Sequence, residues 1–329
     1  MRVDLRGPEL GATHDALYEA CIDQVDWADK LGFSTVYLCE HHAAEDGYCP
    51  SPLVLGGAIA ARTKRIEIHF SALVVTMHNP LRLAEDLAIL DLMSRGRITV
   101  TAGVGYRPHE YEMFDVDPSK RVEILNETID VFEHAWRGEP FAYRNKMVRV
   151  TPKPWSESGP KIILGGSTHS SARRAARKGY PFFPGHPDFY VTYQAELEKL
   201  GRPPAPPLST RGPNFLYITR DPESAWQQVG PHVKYATNSY AEWALERGSG
   251  ATTYKPVETI EELKAMPIFQ VLTPEQCVAY AQNLGSDGEL CFNPLMGGLD
   301  PALSWESLHL FEQEVLPELV DRGLIKKPE

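Results

Sequence analysis

Hydrophobic positions along the chain follow two alternating periods. Short apolar runs predict strands at Val3–Leu5, Ser34–Cys39, Ile66–Val75, Arg97–Val104, Lys161–Leu164, Pro181–Phe183, Asn214–Thr219 and Glu289–Phe292. Between them the period changes. Leu17, Cys21, Val25, Ala28 and Leu31 recur at helical spacing, and Gly32 ends that helix. Ser51-Pro52 opens a helix of small residues through Ala61, and Pro80 opens another through Met93. Gly138 closes a long helix over Ser119–Trp136. Further helices fall at Thr168–Lys178, Asp188–Leu200 and Pro301–Val320.

Eight strand candidates, mostly separated by helices, predict an α/β fold: a closed (β/α)8 TIM barrel rather than an open sheet. Two regions depart from the rhythm. Residues 138–160 form a longer excursion with Pro152, Pro154 and Pro160. Residues 221–288 hold more chain than one crossover needs and carry Trp226, Tyr235, Tyr240, Trp243 and Tyr254. They read as an insertion before strand eight, a lid over the barrel mouth. Its aromatic residues form either a small core of its own or the wall of a substrate pocket, the former being the simpler reading. The five prolines of Arg202–Pro213 make a rigid connector, so residues 1–329 are expected to form a single domain.

Composition narrows the class. A chain of 329 residues with 43% apolar and 23% charged residues buries a large core, which excludes disorder, collagen and disulfide-held miniproteins. The net charge of −11 argues against nucleic acid and anionic membranes as partners. Cys21, Cys39, Cys49, Cys277 and Cys291 are odd in number and include no C-x-x-C, so neither a disulfide framework nor a zinc knuckle is indicated. The opening MRVDLRG has no apolar signal region, and a cytoplasmic location is the expectation.

In such a barrel the chemistry sits at the carboxyl ends of strands. There the chain places Glu40-His41-His42, Ser71-Ala72, Gly103-Val104-Gly105-Tyr106 and Gly165-Gly166-Ser167-Thr168. Imidazole exchanges protons at neutral pH, so one of the paired histidines is a candidate acid–base group; a hydrogen-bonded structural histidine is the plain alternative. Metal ligation fits poorly, because Asp4-Leu5-Arg6 stands where a hydrolase barrel carries His-x-His. The Gly166–Ser170 turn offers helix N-terminal N–H groups and the hydroxyls of Ser167, Thr168 and Ser170 to a phosphate, or serves as an ordinary helix cap. Gly103-x-Gly105 lacks the third glycine of a dinucleotide fingerprint and reads equally as a tight turn.

Several segments resemble the bacterial luciferase-like flavin monooxygenases. They are YLCEHHAAEDGYCPSPLVLGGAIAARTKRIEI, NPLRLAEDLAILDLMSRGRITVTAGVGYRPHEYEMFDVD, KIILGGSTHSSARRAARKGYPFF and GELCFNPLMGGLDPALSWESLHLFEQEVLPEL. The resemblance implies a (β/α)8 barrel that binds FMN, or in a sister group a deazaflavin coenzyme, at its C-terminal mouth. It assigns His41 as the catalytic histidine and matches Glu110, a second catalytic candidate, to an acidic position after strand four. It makes Ser71-Ala72 a non-prolyl cis peptide against the flavin ring. Gly103, at the end of strand four, is a cofactor-binding candidate, and the resemblance makes Gly166, Ser167, Thr168 and Ser170 the phosphate turn. It implies reduced FMN supplied by a flavin reductase, dioxygen, a small-molecule organic substrate and a homodimer through Pro52–Ala61 and Pro80–Met93. Hydride transfer with a deazaflavin and non-enzymatic flavin binding are the alternatives. One departure stands out: Val104 occupies the place of a phosphate-binding arginine found in some members, with Arg107 or Arg173 as the candidate substitute.

Overall fold

Asn79 shows how locally the fold is specified. Its side-chain oxygen accepts from Leu81 N (3.1 Å) and Arg82 N (3.2 Å), and Pro80 occupies the first helical position, where no N–H is needed. The computed structural model describes residues 1–208, 212–246, 255–285 and 288–326. The chain runs α1 (His14–Lys30), β1 (Thr35–Leu38), α2 (Pro52–Arg62), β2 (Glu67–Val74), α3 (Pro80–Ser94) and β3 (Ile98–Gly103). It continues through α4 (Pro108–Met113), α5 (Arg121–Ala135), β4 (Phe141–Tyr143), β5 (Lys146–Val148), β6 (Lys161–Gly166), α6 (His169–Lys178), β7 (Phe182–Pro184) and α7 (Pro187–Lys199). Then follow β8 (Phe215–Ile218), α8 (Pro222–Glu246), α9 (Ile260–Lys264), β9 (Phe269–Leu272), α10 (Pro274–Leu284), α11 (Pro301–Leu310) and α12 (Leu316–Asp321). Among the described residues no helix is long and apolar enough to cross a membrane.

The chain divides into two compact units. One comprises Tyr37–Ala43 and Pro50–Pro206; the other comprises Met1–Val36, Ala44–Cys49 and Pro207–Glu329. The first holds most of a parallel sheet ordered β1-β2-β3-β6-β7. Five successive residues of β3 are buried, as expected for a parallel strand covered on both faces. The β2–β3 register slips between Ser71 and Leu73: Ser71 pairs with Thr101, Leu73 with Ala102, and Ala72 is the extra residue. β4 and β5 form a small antiparallel hairpin inside the 138–160 excursion.

The second unit packs α8 and α9 against β8 and β9, which pair in parallel. Phe215, Trp226, Val229, Val233, Leu263, Phe269, Met296 and Leu299 lie in its core. Trp226, on the 221–288 segment, belongs to this core, whereas Tyr254 lies outside the described residues. Part of that segment therefore continues the β/α alternation through β9 and α10. The expected strands at Val3–Leu5 and Glu289–Phe292 reduce to single bridge residues, Arg2 and Glu289. Asp4 Oδ1 accepts from Arg6 N (3.1 Å), drawing that donor away from a ladder.

Candidate active site

The chain leaves β1 as Cys39-Glu40-His41-His42, and all three ionisable residues that follow the cysteine are buried. The Glu40 side chain is fully enclosed. Its Oε1 accepts from His78 Nε2 (2.6 Å) and His42 Nε2 (3.1 Å), and its Oε2 accepts from Val74 N (2.5 Å). Burial alone would raise the Glu40 pKa and is the largest effect. The donors from His42, His78 and Val74 together outweigh it, holding the carboxyl below its usual range. Both rings thus carry their proton on Nε2 where they meet Glu40.

His41 stands on the other side of this loop. Its Nδ1 lies 3.6 Å from Glu110 Oε1, and its ring meets Tyr106 edge to face at 6.2 Å. Glu110 is almost fully buried, and the same Oε1 accepts from His42 N (3.0 Å). Arg107, also buried, donates from Nη1 to His42 O (2.8 Å). The first candidate substitute for the arginine missing at Val104 is therefore engaged with the histidine loop. Val104 itself presents its carbonyl to Tyr111 OH (2.5 Å) and Thr76 Oγ1 (2.8 Å).

The Ser71–Ala72 peptide is cis. Glu40 N donates to Ala72 O (3.3 Å), which ties the histidine loop to this part of β2. A Cβ on Gly103 would lie 3.0 Å from the Ala72 Cβ, so glycine permits the close approach of β3. From β3 the contact passes to β6, where a Cβ on Gly165 would meet Thr101 Cγ2 at 2.8 Å.

The phosphate-turn candidates sit at the start of α6. Thr168 Oγ1 accepts from Ser171 N (3.1 Å), and Ser171 Oγ accepts from Thr168 N (3.2 Å), a reciprocal capping box. Ser171 did not stand out in the sequence. A Cβ on Gly166 would fall 2.2 Å from its Oγ, which explains the glycine there. Ser167 is half-buried, while Thr168 and Ser170 are exposed. His169 and Ser170 open the helix, so their N–H groups have no intrahelical acceptor. This donor set fits a phosphate.

The other unit holds a second polar cluster that periodicity did not reveal. The Arg6 side chain is fully buried, with Nη1 2.6 Å from Asp46 Oδ2 and Nε 3.8 Å from Asp4 Oδ2. Its guanidinium carbon lies 4.1 Å from the Tyr48 ring centroid, 4.3 Å from Trp243 and 4.9 Å from Tyr240. The Tyr48 and Tyr240 hydroxyls share a hydrogen bond (2.7 Å), and Tyr235 OH donates to Asp46 Oδ2 (3.0 Å). Burial works against the Arg6 charge more than any other single effect. Asp4, Tyr240, Tyr48 and Asp46 nevertheless outweigh it and hold the pKa above its ordinary value. Three aromatic residues of α8 thus surround an ion pair.

A family model described as luciferase-like monooxygenase matches residues 6–279, and the chain belongs to that family. The alkanal monooxygenase beta chain of Photorhabdus luminescens is 26% identical over 163 residues, 47% of this chain and 50% of that protein. Limonene 1,2-monooxygenase of Rhodococcus erythropolis is 32% identical over 160 residues, 43% of this chain and 41% of that protein. The chain spans about half the length of the curated relatives it matches. The solved oxygenating constituent of 3,6-diketocamphane monooxygenase from Pseudomonas putida, a type II Baeyer-Villiger monooxygenase in complex with FMN, superposes with a TM-score of 0.72. It shares 18% identity and covers 96% of this chain and 97% of its own. The α/β TIM-barrel fold of the luciferase-like family is therefore the fold of this chain.

Proposed function

We propose that the chain is a flavin-dependent monooxygenase that takes reduced FMN from a separate reductase and uses dioxygen on a small organic substrate. The observation that carries this reading is the buried His41–Glu110 pair at the carboxyl ends of β1 and β3, linked through Glu40 to the Ser71–Ala72 cis peptide. Reduced flavin, when bound, supplies the electrons that activate dioxygen.

The protein's own part is to bind, orient and exchange protons. The opening turn of α6, with the hydroxyls of Ser167, Thr168 and Ser170, would hold the phosphate of an anionic cofactor in a protein of net charge −11. Gly103 and the Ser71–Ala72 segment would form the floor under the ring system. Glu110 Oε1 lies 3.6 Å from His41 Nδ1, and the His41 imidazole would give or take the proton. A homodimer would use α2 and α3, a reading supported by the exposed Val54 (77%), Ile89 (43%) and Met93 (45%).

The test is His41→Ala. Loss of a positioned acid–base group costs about 10²- to 10⁴-fold in rate. The variant should bind FMN as the parent does and lose most substrate-dependent oxygen uptake. Unchanged oxygen uptake refutes the role of His41. Binding of a deazaflavin coenzyme in preference to FMN overturns the cofactor assignment, and tight FMN binding without oxygen use points to a non-enzymatic flavin binder.

A further inference from the structure

We propose that Arg107 is a positioning residue for His41, acting through the backbone of His42. The two polar groups of the His42 main chain are both taken by side chains of one short segment. Its N–H donates to Glu110 Oε1 (3.0 Å) and its C=O accepts from Arg107 Nη1 (2.8 Å). The first contact sets the plane of the peptide joining His41 to His42. The second sets the plane of the peptide that leads on to Ala43.

Ala43 follows directly on this second hold. It has φ +51°, a left-handed conformation that a residue with a Cβ adopts only when its surroundings impose it. Arg107 grips the carbonyl immediately before that residue. Arg107 precedes α4 and Glu110 lies in its first turn, so the two side chains form a fork three residues apart. Arg107, Glu110 and His42 are all buried, so water competes poorly for these bonds. The same Glu110 oxygen lies 3.6 Å from His41 Nδ1. Movement of the His42 peptide away from Arg107 would therefore move the His41 imidazole relative to the Glu110 carboxylate that lies 3.6 Å from it. The His42 ring is anchored separately, through Nε2 to Glu40 and edge to face on Phe114 at 4.6 Å. The His42 backbone, held by both side chains, is the route from Arg107 to His41 that the hydrogen bonds describe.

The inference rests on His41 being the histidine that acts on the flavin reaction, and the experiment separates the two. Arg107→Ala and Arg107→Lys are prepared with ¹⁵N-histidine labelling, and the His41 ring signals are assigned by their loss in His41→Gln. The expected result in the protein without flavin is a changed His41 tautomer ratio or titration midpoint in Arg107→Ala. Lysine lacks the planar fork and should restore the parent signals only in part, whereas added guanidinium ion should restore them in Arg107→Ala. With reduced FMN as the probe, Arg107→Ala should bind within twofold of the parent while the rate of aerobic flavin reoxidation changes at least tenfold. Unchanged His41 signals in a folded Arg107→Ala or Arg107→Lys protein overturn the proposal. Changed His41 signals with unchanged reoxidation leave the positioning role standing and overturn the catalytic reading of His41. Should the alanine variant not fold, the lysine variant gives the same readouts.

Discussion

Replacing Arg6 by alanine is a sharp test of the buried cluster formed with Asp46, Tyr48, Tyr240 and Trp243. The Arg6 and Asp46 side chains are 0% and 4% exposed and meet at 2.6 Å. Truncating one member of such a pair leaves the other charge buried and unpaired, at a cost of about 3–5 kcal/mol. Here the remainder is two carboxylates, because Asp4 lies 3.8 Å from the same guanidinium. Each desolvated cation–π contact adds about 1–2 kcal/mol, although three rings sharing one cation do not add fully. The expected loss is therefore about 4–5 kcal/mol, near the upper end of what removing one partner costs. Urea unfolding followed by tryptophan fluorescence reads it directly, since Trp243 is one of the stacked rings. Arg6→Lys keeps the charge but loses the planar stack and should recover only part of the loss. Combining Arg6→Met with Asp46→Asn should cost less than Arg6→Ala, because no unpaired partner charge remains at position 46. A loss below about 1 kcal/mol in Arg6→Ala would refute the reasoning, because an exposed pair has that value.

Two further outcomes follow from single contacts. Burial pushes the Asp4 carboxyl from 3.8 up to about 6 against the pull of Arg6, so the native state holds a proton that the unfolded chain releases. That contribution is complete below about pH 3.8 and is lost as pH rises to about 6; the stability of the parent relative to Asp4→Asn should fall across this window, and a flat difference contradicts it. Gly166→Ala places a Cβ 2.2 Å from Ser171 Oγ and breaks the capping box, so FMN affinity should fall about tenfold or more by fluorescence titration, while an unchanged Kd would detach the turn from cofactor binding.

What the sequence could show depended on how local each signal was. The α3 start is written in Asn79-Pro80, and the strands β2 and β3 in short runs rich in apolar and β-branched residues, so their positions were legible within a residue or two. The capping alternative at Thr168 was legible for the same reason, but its partner Ser171 was hidden in a run of small polar residues. The Ser71–Ala72 cis peptide came from family resemblance, because nothing in two small residues of a strand announces it. Arg6, Asp46 and the rings of α8 are brought together by long-range folding, with Tyr235 lying 189 positions after Asp46, and no periodicity reports such a meeting. Likewise His78 reaches Glu40 across 38 positions. β9 was missed because Phe269–Leu272 is a four-residue run flanked by prolines, too short to separate from a loop.

The proposed role of His41 is tested most directly by mixing the anaerobic protein, charged with reduced FMN, with oxygenated buffer and following flavin absorbance. Bound flavin should reoxidise with a course distinct from that of free reduced FMN, and His41→Ala should bind the flavin equally well but reoxidise it about 10²-fold differently from the parent. Reoxidation at the free rate in both proteins, or identical courses for parent and variant, would contradict it.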